Sequence, residues 1–303
     1  MSDQELVTVR RMWQGLLEAL APPAGIPEYR EGYELMLGGF PVPDDATIEK
    51  VDAGGTPGLL VSTSNAAPDS TVIWTHSGGY VFGSAHAYRF FGAGLSAAAG
   101  AQVLLLDYRL APEHPYPAAL DDTKAAYRWL LAQGRDPGNI VIAGDSAGGG
   151  LAAATLLALL DDSDPMPAAG VFVSPMADFT LSGESIKTRV DRDPIASEPM
   201  LAGLGALYAG GEPLDSRYLS PAIADLTGLP PLLVLVGSEE ILHDDATRLV
   251  AGATAAGGQA ELIVGEGQFH IWPLFAPILT EGQEALDAIG EFVRRHARTS
   301  LVI

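Results

Sequence analysis

Cysteine is absent from the 303 residues. That excludes disulfides, thiolate zinc sites and a cysteine nucleophile together, and leaves the redox compartment open. Basic residues are scarce: 17 Lys and Arg stand against 38 Asp and Glu, a formal net charge of -21. So acidic a surface repels phosphate backbones, anionic membranes and polyanionic substrates, which predicts no nucleic-acid partner and no membrane association. Its ordinary reading is solubility or adaptation to salt, with substrate steering the lesser alternative. Long hydrophobic runs are missing too. The most apolar stretch, 147–160, is too short to span a bilayer. The opening Met1-Ser2-Asp3-Gln4-Glu5 has no basic start followed by an apolar run, so no secretory signal is expected and a cytoplasmic location is the default. No HExxH or similar ligand cluster occurs, and neither a metal nor an organic cofactor is expected.

What is present suits a folded chain. The composition is 48% hydrophobic and 18% charged, and the length allows one domain over 1–303 with a large core. Short runs rich in Val, Ile and Leu recur at 71–75, 102–107, 139–143, 170–174, 232–236 and 260–264. Uninterrupted apolar runs of this length predict strands buried on both faces, as in a parallel sheet covered by helices. Helix-like stretches such as 118–133 and 244–256 lie between them. The alternation predicts an α/β fold with a mostly parallel, doubly wound sheet.

Two segments break the rhythm. At the N-terminus, Ser2 and Glu5 have capping-box spacing, and Leu6, Val9, Trp13, Leu16, Leu17 and Leu20 recur at helical spacing. A second helix-like piece follows at 28–37, between prolines. The other segment, 177–211, is a long interval without a strand signal, which predicts an inserted helical element. The two could form a lid over a site; ordinary packing on the flank of the sheet accounts for them equally well.

Gly144-Asp145-Ser146-Ala147-Gly148 matches G-x-S-x-G, a pattern weak by itself. Here it follows the strand run 140–143 and precedes the helix-like 149–160, the setting of a nucleophile elbow that lifts the serine oxygen above a sheet. Glycine is required at 144 and 148 because a side chain would meet neighbouring backbone in so tight a turn. The helix start also offers the Ala147 N–H to a developing oxyanion. Upstream, His76-Ser77-Gly78-Gly79-Tyr80 follows another strand run, and consecutive glycines there let backbone N–H groups turn toward the same oxyanion.

On these residues the chain resembles the bacterial hormone-sensitive-lipase-like carboxylesterases. The resemblance is carried by His76-Ser77-Gly78-Gly79, by Gly144-Asp145-Ser146-Ala147-Gly148-Gly149, and by Tyr108-Arg109-Leu110-Ala111-Pro112-Glu113-His114-Pro115-Tyr116-Pro117-Ala118 between them. It implies an α/β-hydrolase core with a helical cap built from about 1–45 and about 177–211. The family usually has three glycines after the histidine; here the first is Ser77. The later two match Gly78 and Gly79, so the oxyanion hole should survive, and the loop's shape around Ser77 is the point in question.

Triad order in this fold is Ser, then acid, then His. His243, His270 and His296 follow Ser146. His296 sits in a C-terminal helical pattern with Ile289, Phe292 and Val293, and His243 stands beside Asp244 and Asp245 at a helix start. His270 lies on a loop after a strand, where sites form in open α/β sheets, and it matches the family's catalytic histidine. The resemblance puts the acid at Glu240, with Glu239 and Asp244 one register error away. The expected activity is hydrolysis of short-to-medium acyl carboxylic esters by Ser146, His270 and Glu240, with Gly78, Gly79 and Ala147 as oxyanion donors. A lactonase or acyltransferase would use the same triad, and a non-catalytic small-molecule receptor would use the same scaffold without the histidine. Tyr80 and Phe82 suit either the substrate pocket or the core, and Asp121 and Asp122 either solvent or an anchor for the proline-rich turn. The expected partner is a small ester, and a homodimer is left open.

Overall fold

The structure, a computed structural model, describes residues 3–19 and 25–297. Among these residues eight strands form one sheet. They are β1 (Thr47–Asp52), β2 (Pro57–Ser62), β3 (Ala67–Thr75), β4 (Ala101–Leu106), β5 (Ile140–Asp145), β6 (Ala169–Val173), β7 (Leu232–Gly237) and β8 (Ala260–Gly265). Their order is β1-β2-β4-β3-β5-β6-β7-β8. The pairs from β4 through β8 are parallel, while β1 and β2 pair antiparallel at one edge.

All six expected strands are found within a residue or two of their expected bounds, except that β3 begins four residues earlier, at Ala67; β8, expected to be buried on both faces, is instead the half-exposed strand at the other edge. β1 and β2 are additional. β1 lacks an apolar run because it is a half-exposed edge strand, with Ile48 and Val51 its apolar residues, and the run in β2 is only Leu59-Leu60-Val61. In the central strands, neighbouring side chains face opposite layers. Val72 and Trp74, Val141 and Ala143, and Leu233 and Leu235 face one layer; Ile73, Ile140, Ile142, Leu232 and Val234 face the other. The first layer is covered by α3 (Arg89–Ala99) and α9 (Thr280–His296), the second by α4 (Ala118–Ala132), α5 (Ala147–Asp161) and α8 (His243–Ala255). α5 is buried nearly all round, which explains its Ala, Gly and Leu composition.

The two irregular segments are helical. α1 (Asp3–Ala19) and α2 (Ile26–Gly38) precede the sheet. α6 (Ser185–Thr188) and α7 (Glu198–Ala209) occupy the interval between β6 and β7. Val9, Trp13, Tyr33 and Leu37 are buried, and Trp13 meets Phe275 edge-on with ring centroids 5.9 Å apart. Ser2 of the expected capping box, and Leu20 of the apolar stripe, lie outside the described residues. Glu5 accepts instead from the backbone N–H and hydroxyl of Thr280, the first residue of α9. No helix among the described residues is long and apolar enough to cross a membrane.

Candidate active site

β5 passes directly into α5 through Ser146, whose backbone takes φ 54° and ψ -120°. A non-glycine residue there is strained, and the strain is held by tight packing on either side. A Cβ on Gly148 would lie 1.9 Å from the Thr75 carbonyl oxygen, and one on Gly144 would lie 2.4 Å from that of Gly148. The elbow thus admits no side chain at either position. Ser146 N–H donates to Val173 O at 2.8 Å, tying the turn to β6.

Loops at the carboxyl ends of β7 and β8 bring the other two groups to the serine. His270 Nε2 lies 2.8 Å from Ser146 Oγ, and His270 Nδ1 lies 2.9 Å from Glu240 Oε2. Serine, histidine and glutamate are 7%, 6% and 0% exposed, so the line is nearly dry. Glu240 Oε1 accepts from Ser174 Oγ at 2.7 Å and from the Gly237 N–H at 2.5 Å. Ser174 Oγ in turn accepts from the Ile271 N–H at 3.0 Å, linking the acid and histidine loops. Burial pulls the His270 pKa down, but the bond and charge of Glu240, with the charges of Asp193 and Asp145 behind it, hold the imidazole above its ordinary value.

The competing acids lie elsewhere. Glu239 turns away to Arg192, with Arg192 Nε 2.8 Å from its Oε2. Asp244 accepts from the Ser185 N–H at 3.0 Å and has His243 beside it. His296 packs against Phe292 on α9. Of the three histidines after Ser146, His270 is the one that meets the serine.

The loop after β3 brings Gly78 and Gly79 to the same place, where both line a cavity with Ser146 and His270. Both have positive φ, 117° and 60°. A Cβ on Gly78 would lie 2.0 Å from Phe82 O, so the loop's curl needs glycine there. Ala147, first residue of α5, has no intrahelical acceptor for its N–H. The loop's departure at Ser77 is absorbed by hydrogen bonding. Ser77 Oγ bonds Tyr33 OH of α2 and, at 2.6 Å, Tyr88 OH, which donates to Asp145 Oδ2 at 2.6 Å. Trp74 Nε1 donates to the other Asp145 oxygen at 2.9 Å. Burial nevertheless pushes the Asp145 carboxyl up to about 6, against the bonds from Tyr88 and Trp74.

The cavity over Ser146 measures about 40 Å³ and is walled by α1, α2, α7 and the strap before α7: Trp13, Tyr33, Ile195, Ala196, Met200 and Leu204. Phe82 lines it as well, whereas Tyr80 is core, stacked on Tyr208 with centroids 3.7 Å apart. Outside lies an apolar groove of about 380 Å³ between the start of α2 and α7, sharing Phe82, Met200 and Leu204 with the inner cavity. Asp122 is the buried anchor of the proline-rich turn, bound by the Arg109 N–H and guanidinium, while Asp121 faces solvent. Among the described residues no cluster of three or more His, Asp or Glu could hold a metal ion. Ser174, Tyr33 and Asp193 carried no sequence signal: each acts through a contact between segments far apart in the chain.

A family described as alpha/beta hydrolase fold matches residues 72–274. An acetyl-hydrolase of Streptomyces hygroscopicus is 46% identical over 224 residues, 74% of this chain and 75% of that protein. An esterase of Acinetobacter venetianus is 35% identical over 255 residues, 84% of each. The crystal structure of an esterase from the bacterial hormone-sensitive lipase family superposes with a TM-score of 0.95 at 44% identity, covering 98% of this chain and all of that one. EstE5, in a crystal soaked with p-nitrophenyl butyrate, superposes at 0.90 with 40% identity, over 96% of this chain and 98% of that one.

Proposed function

Because this chain belongs to the bacterial hormone-sensitive-lipase-like esterases of the α/β-hydrolase fold and is a carboxylic ester hydrolase, we propose that it cleaves short-to-medium acyl esters through Ser146, His270 and Glu240. The reading rests above all on one observation. Ser146 Oγ, His270 and Glu240 form a hydrogen-bonded line at the floor of an apolar cavity.

In this mechanism His270 Nε2 removes the Ser146 proton as Oγ attacks the ester carbonyl. Glu240 fixes the Nδ1–H tautomer and stabilises the imidazolium. The N–H groups of Gly78, Gly79 and Ala147 receive the oxyanion, each donor worth about 3 kcal/mol of barrier. His270 then protonates the leaving alcohol and activates water, which frees the acid from the acyl-enzyme. α1, α2 and the insertion of about 177–211 act as the cap, excluding water from the charged intermediate. Acyl size follows from the two cavities: an inner space for a short chain, and an apolar groove beyond it. A nitrophenyl butyrate soak of EstE5 is consistent with that size.

The test is turnover of nitrophenyl acetate, butyrate and hexanoate by the protein and by Ser146→Ala. Loss of about 10⁴-fold or more in kcat, with an unchanged folded spectrum, is expected. Undiminished turnover in the alanine protein would sink the assignment.

A further inference from the structure

We propose that Asp193, in the insertion between β6 and β7, is a positioning residue that locks the cavity wall to the loop carrying Glu240, and through it the acid that orients His270. This rests on the triad reading above. Asp193 Oδ1 accepts from the Ile195 N–H at 2.9 Å and the Ala196 N–H at 3.0 Å. Its Oδ2 accepts from the Ile241 N–H at 3.0 Å. Ile195 and Ala196 line the cavity over Ser146, and Ile241 follows the acid. One carboxylate therefore spans the substrate-facing strap and the acid loop.

Neighbouring contacts grip the same two segments but not both functional ends. Ser185 Oγ donates to Ile241 O at 2.6 Å, Arg189 donates to Ser238 O, and Arg192 pairs with Glu239. None of these reaches the cavity wall.

The electrostatics point the same way. Asp193 is 8% exposed, and its side-chain bonds among the described residues are all to backbone amides. The adjacent guanidinium, Arg192, is taken by Glu239. A buried carboxylate without a cation is costly to keep, and charge-assisted bonds to amides offset that cost. His270 feels its charge, together with those of Glu240 and Asp145. Glu240 bonds the imidazole directly, while the charges of Asp145 on the elbow and Asp193 on the insertion act in the same direction. Arg189 is the cation that acts against them near Glu240.

Asp193→Asn is the informative change. An amide offers one accepting oxygen and one donating nitrogen, so it cannot accept from both the Ile195–Ala196 pair and Ile241. Steady-state kinetics on nitrophenyl butyrate between about pH 5 and pH 9, referred to active sites titrated with a phosphonate, should show kcat lower by about 10- to 100-fold with KM within about threefold. The acidic limb of kcat/KM should move to lower pH, since one negative charge acting on the histidine is gone, and Asp193→Glu should leave that limb in place. If the asparagine protein does not fold, Asp193→Ser, which also removes the charge, is read the same way. A limb that stays put in the neutral variant, or an unchanged kcat, overturns the role of Asp193. Wild-type protein without serine-dependent turnover would instead count against the triad itself.

Discussion

Glu240 gives one carboxylate oxygen to His270 at 2.9 Å and commits the other to Ser174 and the Gly237 amide. Its orientation is fixed from both sides. A glutamine in its place must turn its NH₂ either toward Nδ1–H of the histidine or toward two donors, and each choice sets donor against donor. Glu240→Gln should lose about 10³–10⁴-fold in kcat with the fold retained. Glu239→Gln, which severs the exposed pair with Arg192, should stay within about threefold. Side-by-side kinetics decide it: a loss confined to the Glu239 variant would reassign the acid.

The pH dependence follows from the same histidine. His270 must be neutral to take the serine proton, so activity rises with pH through its folded pKa. Burial lowers that pKa, but Glu240, Asp193 and Asp145 together hold it above the ordinary value of about 6.5. The acidic limb of kcat/KM should accordingly be centred above about pH 6.5. A profile already flat at pH 6 would contradict the charge balance described for the site.

Ser77 stands where the family has glycine, and the structure gives it a use. Tyr33, Ser77, Tyr88 and Asp145 form a buried chain of hydroxyls that ends on a carboxylate, joining α2 to the oxyanion loop and the elbow. Ser77→Gly leaves the Tyr33 hydroxyl only a long 3.4 Å contact to Tyr88, and Tyr33→Phe leaves Ser77 with Tyr88 as its remaining hydroxyl partner. Each should cost about 1 kcal/mol by urea denaturation. The double variant should cost less than the sum, because both changes remove the same Tyr33–Ser77 bond. Strict additivity would mean that the chain does not act as a unit.

The parts of this site that were legible in the sequence are those whose chemistry is local. Gly144, Gly148, Gly78 and Gly79 are dictated by backbone crowding within a few residues, so a short motif carries them. β3 to β7 were legible because burial on both faces demands unbroken apolar runs, whereas β8 carries such a run although it is a half-exposed edge strand. β1 was not legible, since a half-exposed edge strand needs no such run, and in β2 the apolar run is only Leu59-Leu60-Val61. Ser174, Tyr33 and Asp193 were invisible for another reason. Each is an ordinary polar residue whose role appears only when β6, α2 or the insertion is folded against the site.

Leu204 lines both apolar spaces above Ser146, together with Phe82 and Met200. Its side chain lies against Gly79, close enough that a Cβ on that glycine would sit 2.4 Å from Leu204 Cδ1. On one side is the cavity of about 40 Å³ at the serine, on the other the groove of about 380 Å³. Leu204→Ala thins the wall that Leu204 shares with Phe82 and Met200 and should let a longer chain run from one into the other. Each methylene newly taken from water is worth about 0.8 kcal/mol, close to fourfold in kcat/KM when the gain is expressed in the transition state. Two further methylenes in the groove should therefore raise the decanoate-to-butyrate ratio about fifteenfold, and Leu204→Phe should lower it. Comparing nitrophenyl esters of increasing acyl length at fixed alcohol, and alkyl butyrates of increasing alcohol length, shows which end of the ester enters the groove. If neither series responds to Leu204→Ala, the groove is not part of the substrate path.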